Sequence, residues 1–323
     1  MALNDLAAKE ILQNIDPDVD TLVGFSGGPD STALLFGLHE LKINNRLNGK
    51  LAALHINHGI NSQANAWESH CKQAAESLGI TFFSEHVTIK SKSKSIEIEA
   101  RNLRMEVFKT YSQDYKQICL GHHLDDQVET VLFRLFRGTG LRGITGIKPS
   151  RKIGEGLLIR PLLNVPKDIL IDYLKSHNID YLVDQSNLDQ SIDRNFIRKS
   201  VLPLIQSRWG AAANKIFDFS KLADEENEIL DTLFENAHGH FYKSESLNKS
   251  ELASLNSPLR RKIIRHWLEF HKLPIPNLKV LIEIEKTFLD SSSAQAEVQW
   301  SRSDDEQGVI LRINKNEIYF EVI

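Results

Sequence analysis

The sequence predicts an α/β fold: a doubly wound, mainly parallel sheet, then a mostly helical C-terminal domain that ends in a β-hairpin. Three observations carry this. Through the first two-thirds of the chain, short apolar runs alternate with helix-period segments, the pattern of strands joined by helical crossovers. The apolar run Leu22-Val23-Gly24-Phe25 leads straight into Ser26-Gly27-Gly28-Pro29-Asp30-Ser31 and then into a helical pattern. Beyond about Trp209 the strand signals stop until the last residues.

The elements follow in order. Residues 51–58 read as a second buried strand, and 65–78 have helical spacing, with Gly79 as a C-terminal stop. A third strand opens at 80–83, and 96–111 is helical. Residues 118–121 form a fourth strand that ends at His122-His123, and 124–136 is again helical. Residues 157–163 read as a fifth strand, and Pro166-Lys167-Asp168 starts a helix that runs to about His177. Ile216, Phe219, Leu222, Ile229, Leu233 and Phe234 mark a long amphipathic helix. Helical segments at 259–270 and 278–289 follow. The hairpin is read at 308–313 and 318–322, around a polar turn at 314–317. The serine-rich pieces 91–95 and 291–293 read as loops. The change of pattern divides the chain into a domain at 1–210 and another at 211–323.

Composition narrows the class. A chain of 323 residues with 41% hydrophobic and 25% charged content can build a sizeable core, and its length suggests two domains. No apolar run approaches the roughly eighteen residues of a membrane span. The N-terminus lacks a basic region followed by an apolar stretch, so it does not read as a signal peptide. Cys71 and Cys119 lie far apart in apolar patterns with no Cys-x-x-Cys. Reduced thiols in the cytoplasm are the simple expectation. With a net charge of −4, nucleic-acid contact has to come from local patches.

Chemistry concentrates at predicted strand ends, where open α/β sheets bind ligands. At Ser26 to Ser31 a strand, a glycine turn and a helix start converge, so unpaired N–H groups and the helix dipole favour an anion. It is not a Walker A loop, because no Gly-Lys-Ser/Thr follows. In Gly121-His122-His123-Leu124-Asp125-Asp126-Gln127-Val128-Glu129-Thr130, Asp126 and Glu129 share a helix face. They read either as a reactive pair or as a solvated acidic helix start. The histidine pair reads as hydrogen-bonding rather than metal-binding. From Arg134 to Arg160 the cations are Arg134, Arg137, Arg142, Lys148, Arg151, Lys152 and Arg160, with Glu155 the sole acid. This stretch suits either a phosphate backbone or a solvated loop. Arg194 with Arg198 and Lys199, and Arg260-Arg261-Lys262 with Arg265, add basic clusters.

The pattern S-G-G-x-D-S resembles the PP-loop of the ATP pyrophosphatases. Taken with the other motifs, the chain resembles the tRNA(Ile)-lysidine synthetase family over residues 20–210. Beyond the loop, the matching pieces are His55-Ile56-Asn57-His58-Gly59-Ile60, Ile98-Glu99-Ala100-Arg101-Asn102-Leu103-Arg104 and the 121–130 segment. Arg137-Gly138-Thr139-Gly140-Leu141-Arg142-Gly143, Asp184-Gln185-Ser186-Asn187 and Asp193-Arg194-Asn195-Phe196-Ile197-Arg198 complete the set. Met105 departs from it, standing where an aromatic residue commonly follows the arginine. Longer members carry a further domain.

The resemblance implies a PP-loop ATPase-type fold at 1–210, a helical tRNA-binding domain at 211–323, and ATP and Mg²⁺ as cofactors. It implies ATP-dependent ligation of free L-lysine to C2 of the wobble cytidine in the CAU anticodon of isoleucine tRNA. The partners are that tRNA and free lysine, in the cytoplasm, without a membrane, and a homodimer is admitted. Ser26, Gly27, Gly28, Pro29, Asp30 and Ser31 would hold the pyrophosphate end of ATP, with Asp30 positioning Mg²⁺. His55, Asn57 and His58 would border the adenine. Asp126 and Glu129 would grip lysine, and Arg104, with Arg101, would steady charge developing on phosphate. Alternatives are another PP-loop enzyme, either a tRNA thiolase or an amide ligase, and a non-catalytic tRNA-binding protein. Thiolation is disfavoured because it needs reactive cysteines.

Overall fold

The computed structural model describes residues 5–59, 63–90, 96–184, 189–290, 296–301 and 308–323. The loop readings at 91–95 and 291–293 lie outside these residues, as do Ile60, Gln185, Ser186 and Asn187 of the family motifs. The chain divides into two compact units, the second beginning at Glu228.

In the first unit the order is α1 (Asp5–Asn14), β1 (Thr21–Gly24), α2 (Pro29–Ile43), β2 (Leu51–Asn57), α3 (Ala64–Ser77), β3 (Thr81–His86) and α4 (Ile96–Tyr111). Then come β4 (Gln117–Cys119), α5 (Leu124–Phe136), α6 (Leu141–Ile144), β5 (Ser150–Ile153), β6 (Gly156–Ile159) and α7 (Lys167–Ser176). α8 (Asp193–Phe196) and α9 (Leu202–Arg208) are joined by a π-helical turn at Ile197–Val201. α10 (Ala212–Tyr242) starts in the first unit and ends in the second.

The sheet has the order β3-β2-β1-β4-β6-β5. All neighbours are parallel except β5, which runs antiparallel to β6. β1 is central, with Val23 between Ala53 of β2 and Cys119 of β4. Both sheet faces are covered, which is why these strands read as unbroken apolar runs. On one face Val23, Ala53 and Ile159 pack with Ala7, Ile11, Leu34, Leu38, Cys71 and Leu174 from α1, α2, α3 and α7. On the other, Leu22, Leu54, Ile118 and Leu158 pack against Phe108 of α4. The doubly wound reading is therefore correct.

Three local differences have physical causes. The fifth strand ends at Ile159 rather than running to residue 163. Pro161 has no N–H for a ladder, and turns closed by Leu163 N–H to the Arg160 carbonyl and Val165 N–H to the Leu162 carbonyl follow. β5 escaped the sequence reading because Ser150, Arg151 and Lys152 are all exposed, leaving no alternation to detect. α1 escaped it because Ala7 and Ile11 are its only buried positions.

In the second unit, β7 (Leu247–Asn248) is followed by α11 (Lys249–Ala253), α12 (Ser257–Phe270) and α13 (Leu278–Glu285), which continues as a π-helical turn at Lys286–Asp290. Asn248, Asn256 and Asn277 cap the three helices, each side-chain oxygen accepting an N–H three residues on. β8 (Glu297–Ser301), β9 (Gly308–Asn314) and β10 (Glu317–Val322) complete a sheet of order β7-β10-β9-β8. The expected hairpin is β9–β10, with β7 and β8 added on either side. Trp267, Phe288, Leu252 and Leu311 anchor the core between helices and sheet. Among the described residues no helix is long and apolar enough to cross a membrane.

Candidate active site

The loop after β1 is built for close approach. Gly27 has φ +79°, and an added Cβ would lie 2.8 Å from Cys71 Sγ, so only glycine fits. Its carbonyl accepts from Leu182 N–H at 2.8 Å, which ties a distant segment to the loop. Ser26 N–H donates to Ser31 Oγ at 3.2 Å, and the Ser31 hydroxyl donates to the Gly28 carbonyl at 3.1 Å. Thr32 Oγ1 donates to the same carbonyl at 2.9 Å. Gly28 is the N-cap of α2, Pro29 follows it, and no side chain caps the helix start. A first turn of α2 without a side-chain cap is suited to accept an anion.

Asp30 lies on that first turn and meets the β4–α5 junction. Its Oδ1 is 3.4 Å from His123 Nε2 and 3.5 Å from Lys167 Nζ. Burial pushes the Asp30 carboxyl up, but the hydrogen-bonding and charge of His123, helped by Lys167, outweigh it and leave the carboxyl below its usual range. His123 is the N-cap of α5, with its side chain fully buried. Asp126 N–H donates to His123 Nδ1 at 3.4 Å, and His123 N–H donates to Asp126 Oδ2 at 3.2 Å, a reciprocal capping box. That bond assigns the ring proton to Nε2, facing Asp30. Burial pulls the imidazole pKa down, yet Asp30 and Asp126 more than offset it and leave it raised. A second proton would have to displace the Asp126 amide from Nδ1. Asp125 Oδ2 lies 3.6 Å from His123 Nδ1 and accepts from Lys167 N–H at 2.9 Å, which fixes the start of α7. Gly121 is equally constrained, since a Cβ there would meet the Asp30 carbonyl oxygen at 2.7 Å.

Asp126 and Glu129 do share a face of α5, but with a third member. Arg198, on the π-helical turn, donates to both Glu129 oxygens at 2.6 and 2.7 Å and lies 3.5 Å from Asp126 Oδ1. The Glu129 side chain is only 3% exposed. Burial pushes its carboxyl up against the pull of Arg198. Asp126 is the more open carboxylate, with its side chain 21% exposed. The sequence places Arg198 in a basic cluster, but its partner lies 69 residues away, beyond any local spacing rule.

The end of β2 divides the three residues expected near adenine. His55 Nδ1 donates to the Phe25 carbonyl at 3.0 Å and braces the loop, and burial lowers its pKa. Asn57 is used internally: its Nδ2 donates to Glu68 Oε2 at 2.8 Å and its Oδ1 accepts from Gly59 N–H at 3.0 Å. Glu68 also accepts from Ser84 Oγ at 2.7 Å and lies 3.0 Å from His86 Nε2. The Asn57 bond leads the effects that pull the Glu68 carboxyl down to about 2. His58 differs, because its Nδ1 is buried and has no hydrogen-bond partner. His122 Nδ1 is in the same state. Burial holds His122 at about 4, with Arg160 and Arg104 lowering it further, and burial followed by Arg104 also lowers His58. Arg104 is thus the cation beside two neutral imidazoles. Met105 is half-buried in the α4-side core, where its Sδ accepts from Arg151 at 2.6 Å.

The cluster on α12 turns inward. Arg260 donates to the Leu255 and Ala253 carbonyls, Arg261 to Glu285, and Lys262 lies 5.0 Å over the Phe234 ring. Three of its four cations therefore serve the unit's own packing. Among the described residues no group of three His, Cys, Asp or Glu side chains could hold a metal ion. Asp30 Oδ1 is buried between two cationic partners, His123 Nε2 and Lys167 Nζ, neither in full hydrogen-bond geometry, which leaves a single carboxylate suited to a contact with an ion carried by phosphates.

A parallel sheet with a glycine turn at β1 and an anion-ready helix start defines a nucleotide phosphate-binding α/β protein. The chain belongs to the PP-loop domain family, whose ATP-binding profile matches residues 4–205. A TilS substrate binding domain matches residues 247–319. Among proteins of known name, the chain is similar to tRNA(Ile)-lysidine synthases. It is 32% identical over 285 residues to that of Photorhabdus laumondii, covering 88% of this chain and 64% of the relative. It is 34% identical over 268 residues to that of Coxiella burnetii, covering 83% and 59%. The Pseudomonas syringae enzyme is 37% identical over 254 residues, covering 76% and 57%. The chain thus spans less than two-thirds of the length of these curated relatives. Among solved structures, the U34-tRNA thiolase NcsA of Methanococcus maripaludis aligns with TM-score 0.56 at 16% identity, over 68% of this chain and 79% of that one. That likeness concerns the fold.

Proposed function

We propose that this protein is an ATP-dependent, C–N bond-forming ligase that attaches free L-lysine to C2 of the wobble cytidine in the CAU anticodon of isoleucine tRNA. The observation that carries the reading is the convergence of the loop carboxylate Asp30 with Asp126, Glu129 and Arg198 at neighbouring strand ends. The similarity to lysidine synthases supports it. We assign residues 1–210 to catalysis and 211–323 to tRNA binding, with the match at 247–319 supporting the second assignment.

Residues Ser26 to Ser31 receive the pyrophosphate end of ATP on backbone N–H groups. Cytosine O2 attacks the α-phosphorus, the adenylated cytidine forms and pyrophosphate leaves. The ε-amine of lysine then attacks C2, and AMP leaves with the O2 oxygen. Asp30 would hold Mg²⁺, which supplies charge neutralisation on the phosphates when bound. Arg104 steadies charge on the α-phosphate. His58 and His122, each with an unpartnered nitrogen, border the nucleotide. Asp126 is the carboxylate that grips the lysine ammonium and takes its proton. Glu129, already engaged by Arg198, sets the position of that arginine and through it Asp126.

A thiolase reading needs accessible thiolates. Cys71 and Cys119 are buried, and burial pushes each up to about 12. Buried reduced thiols also support a cytoplasmic setting. The deciding experiment is incorporation of radiolabelled lysine into isoleucine and methionine CAU transcripts, with and without ATP. ATP-dependent label on the isoleucine transcript alone is expected. No label on either, from folded protein that binds ATP, overturns the assignment.

A further inference from the structure

Cationic side chains gather at the carboxyl edge of the sheet on the side away from β2. β4 and β6 are parallel neighbours, with Cys119 opposite Ile159 and Leu120 N–H donating to the Ile159 carbonyl at 2.9 Å. The residues that follow, His122 and Arg160, therefore emerge side by side. Arg160 N–H donates to the Pro149 carbonyl, which draws the outer strand β5 and its Arg151 alongside. Arg101 lies on α4 and Arg134 on α5, with Arg101 near enough to Arg134, Arg151 and Arg160 for their charges to interact.

The partners of these guanidinium groups are unusual. Arg160 is 8% exposed, and its Nε is buried without a hydrogen-bond partner. Its NH1 donates to the Lys148 carbonyl at 2.8 Å. Arg134 donates to the Gly143 and Gly146 carbonyls at 3.0 and 2.7 Å. Arg151 donates to a thioether, that of Met105. Neutral oxygens and a sulfur thus hold these groups, and among the described residues no carboxylate pairs with Arg101, Arg134, Arg151 or Arg160. The mutual repulsion is felt. Burial leads in lowering Arg160 to about 10, followed by Arg151 and Arg101; burial also leads for Arg134, followed by Arg194 and Arg101, and for Arg151, followed by Arg101. Burying one arginine among others without an anion costs free energy, so the arrangement is incomplete until an anion arrives.

We propose that Arg101, Arg134, Arg151 and Arg160 form a subsite for RNA backbone phosphate, which seats the phosphodiesters flanking the reacting nucleotide. The proposal rests on the RNA-modifying reading above. The nucleotide's own phosphates are the other source of the same chemistry. They are disfavoured because their loop follows β1, two strands away across β4, or roughly 10 Å at ordinary strand spacing. The outer position of Arg151, on the edge strand, also favours a chain that runs along the sheet edge over a compact triphosphate.

The test is a salt titration of binding to a CAU anticodon stem-loop RNA, with ATP affinity measured in parallel. The variants are R151Q, at an exposed position, and R160Q as a separate protein. In R151Q the slope of log affinity against log salt should fall by about one, and affinity should fall severalfold at low salt, with ATP affinity retained. An unchanged slope in folded R151Q, with wild type still binding and modifying RNA, overturns this subsite and leaves the reaction standing. Loss of ATP affinity with an unchanged RNA slope assigns the cluster to the nucleotide and also overturns it. A wild-type protein that binds no RNA overturns both.

Discussion

At the residue scale, the pairing of Arg198 with Glu129 is the most consequential contact. Glu129 is buried and its two oxygens are both taken by one guanidinium. Replacing Arg198 with alanine leaves a buried carboxylate without its cation, at a cost of about 3 kcal/mol. Urea unfolding should show that loss, and R198K should recover part of it, because an ammonium cannot form the fork. Equal stability of R198A and wild type would mean the pair contributes nothing. In the same variant lysine incorporation should drop more than ATP binding, since the loop is built from other residues. Glu68 supplies a pH prediction. Its folded pKa is about 2, against an ordinary value of 4.5. A depressed carboxyl stabilises the fold above its unfolded pKa and loses that contribution as pH falls through the folded one. The stability difference between wild type and E68Q should therefore shrink as pH is lowered from 4.5 towards 2. A difference that stays flat across this window would remove Glu68 from the account of how Asn57 is held.

At the element scale, the site depends on two strand-to-helix junctions meeting. Gly121 packs against the Asp30 carbonyl, so the end of β4 rests on the first turn of α2. Backbone faces backbone there, and neither can yield as a flexible side chain would. G121A should weaken ATP binding by roughly tenfold, about 1.4 kcal/mol, while leaving RNA affinity near wild type. Calorimetric titration with ATP checks this, and unaltered affinity would show that the junction tolerates separation. Much of this scale was legible in the sequence. Buried parallel strands are apolar throughout, and the glycine turn before α2 and the polar run before α5 stand out against them. The exposed strand β5 had no such contrast, and β7 is only two residues long. Asp30, Asp126 and Glu129 stood out in the sequence, but the residues that pair with them did not. Lys167 beside Asp30, Glu68 beneath Asn57 and Arg198 on Glu129 are contacts between elements, and no periodicity within an element encodes them. The basic cluster on α12 shows the opposite error: local charge suggested a free face, while Glu285 and the helix-end carbonyls take up most of it.

At the scale of the whole molecule, a net charge of −4 coexists with a cation cluster on one edge of one sheet. On the proposed reading, general attraction to RNA is therefore weak and local phosphate contacts carry the binding. Turnover on tRNA should fall steeply between low and physiological salt, whereas ATP affinity, set by backbone N–H groups, should fall much less. Parallel salt titrations of the two quantities check this. Identical slopes would mean that the nucleotide site, not the RNA, carries the salt dependence.

The position of β5 has a further consequence. A sheet edge offers unpaired backbone groups to any passing strand, and short, cationic edges discourage that. Ser150, Arg151 and Lys152 make such an edge: four residues long in all, with its three leading side chains exposed. A chain that neutralised Arg151 and Lys152 would lose more than affinity for a polyanion. It would also lose the charge that keeps its open edge from recruiting a second copy, and self-association on concentration would follow.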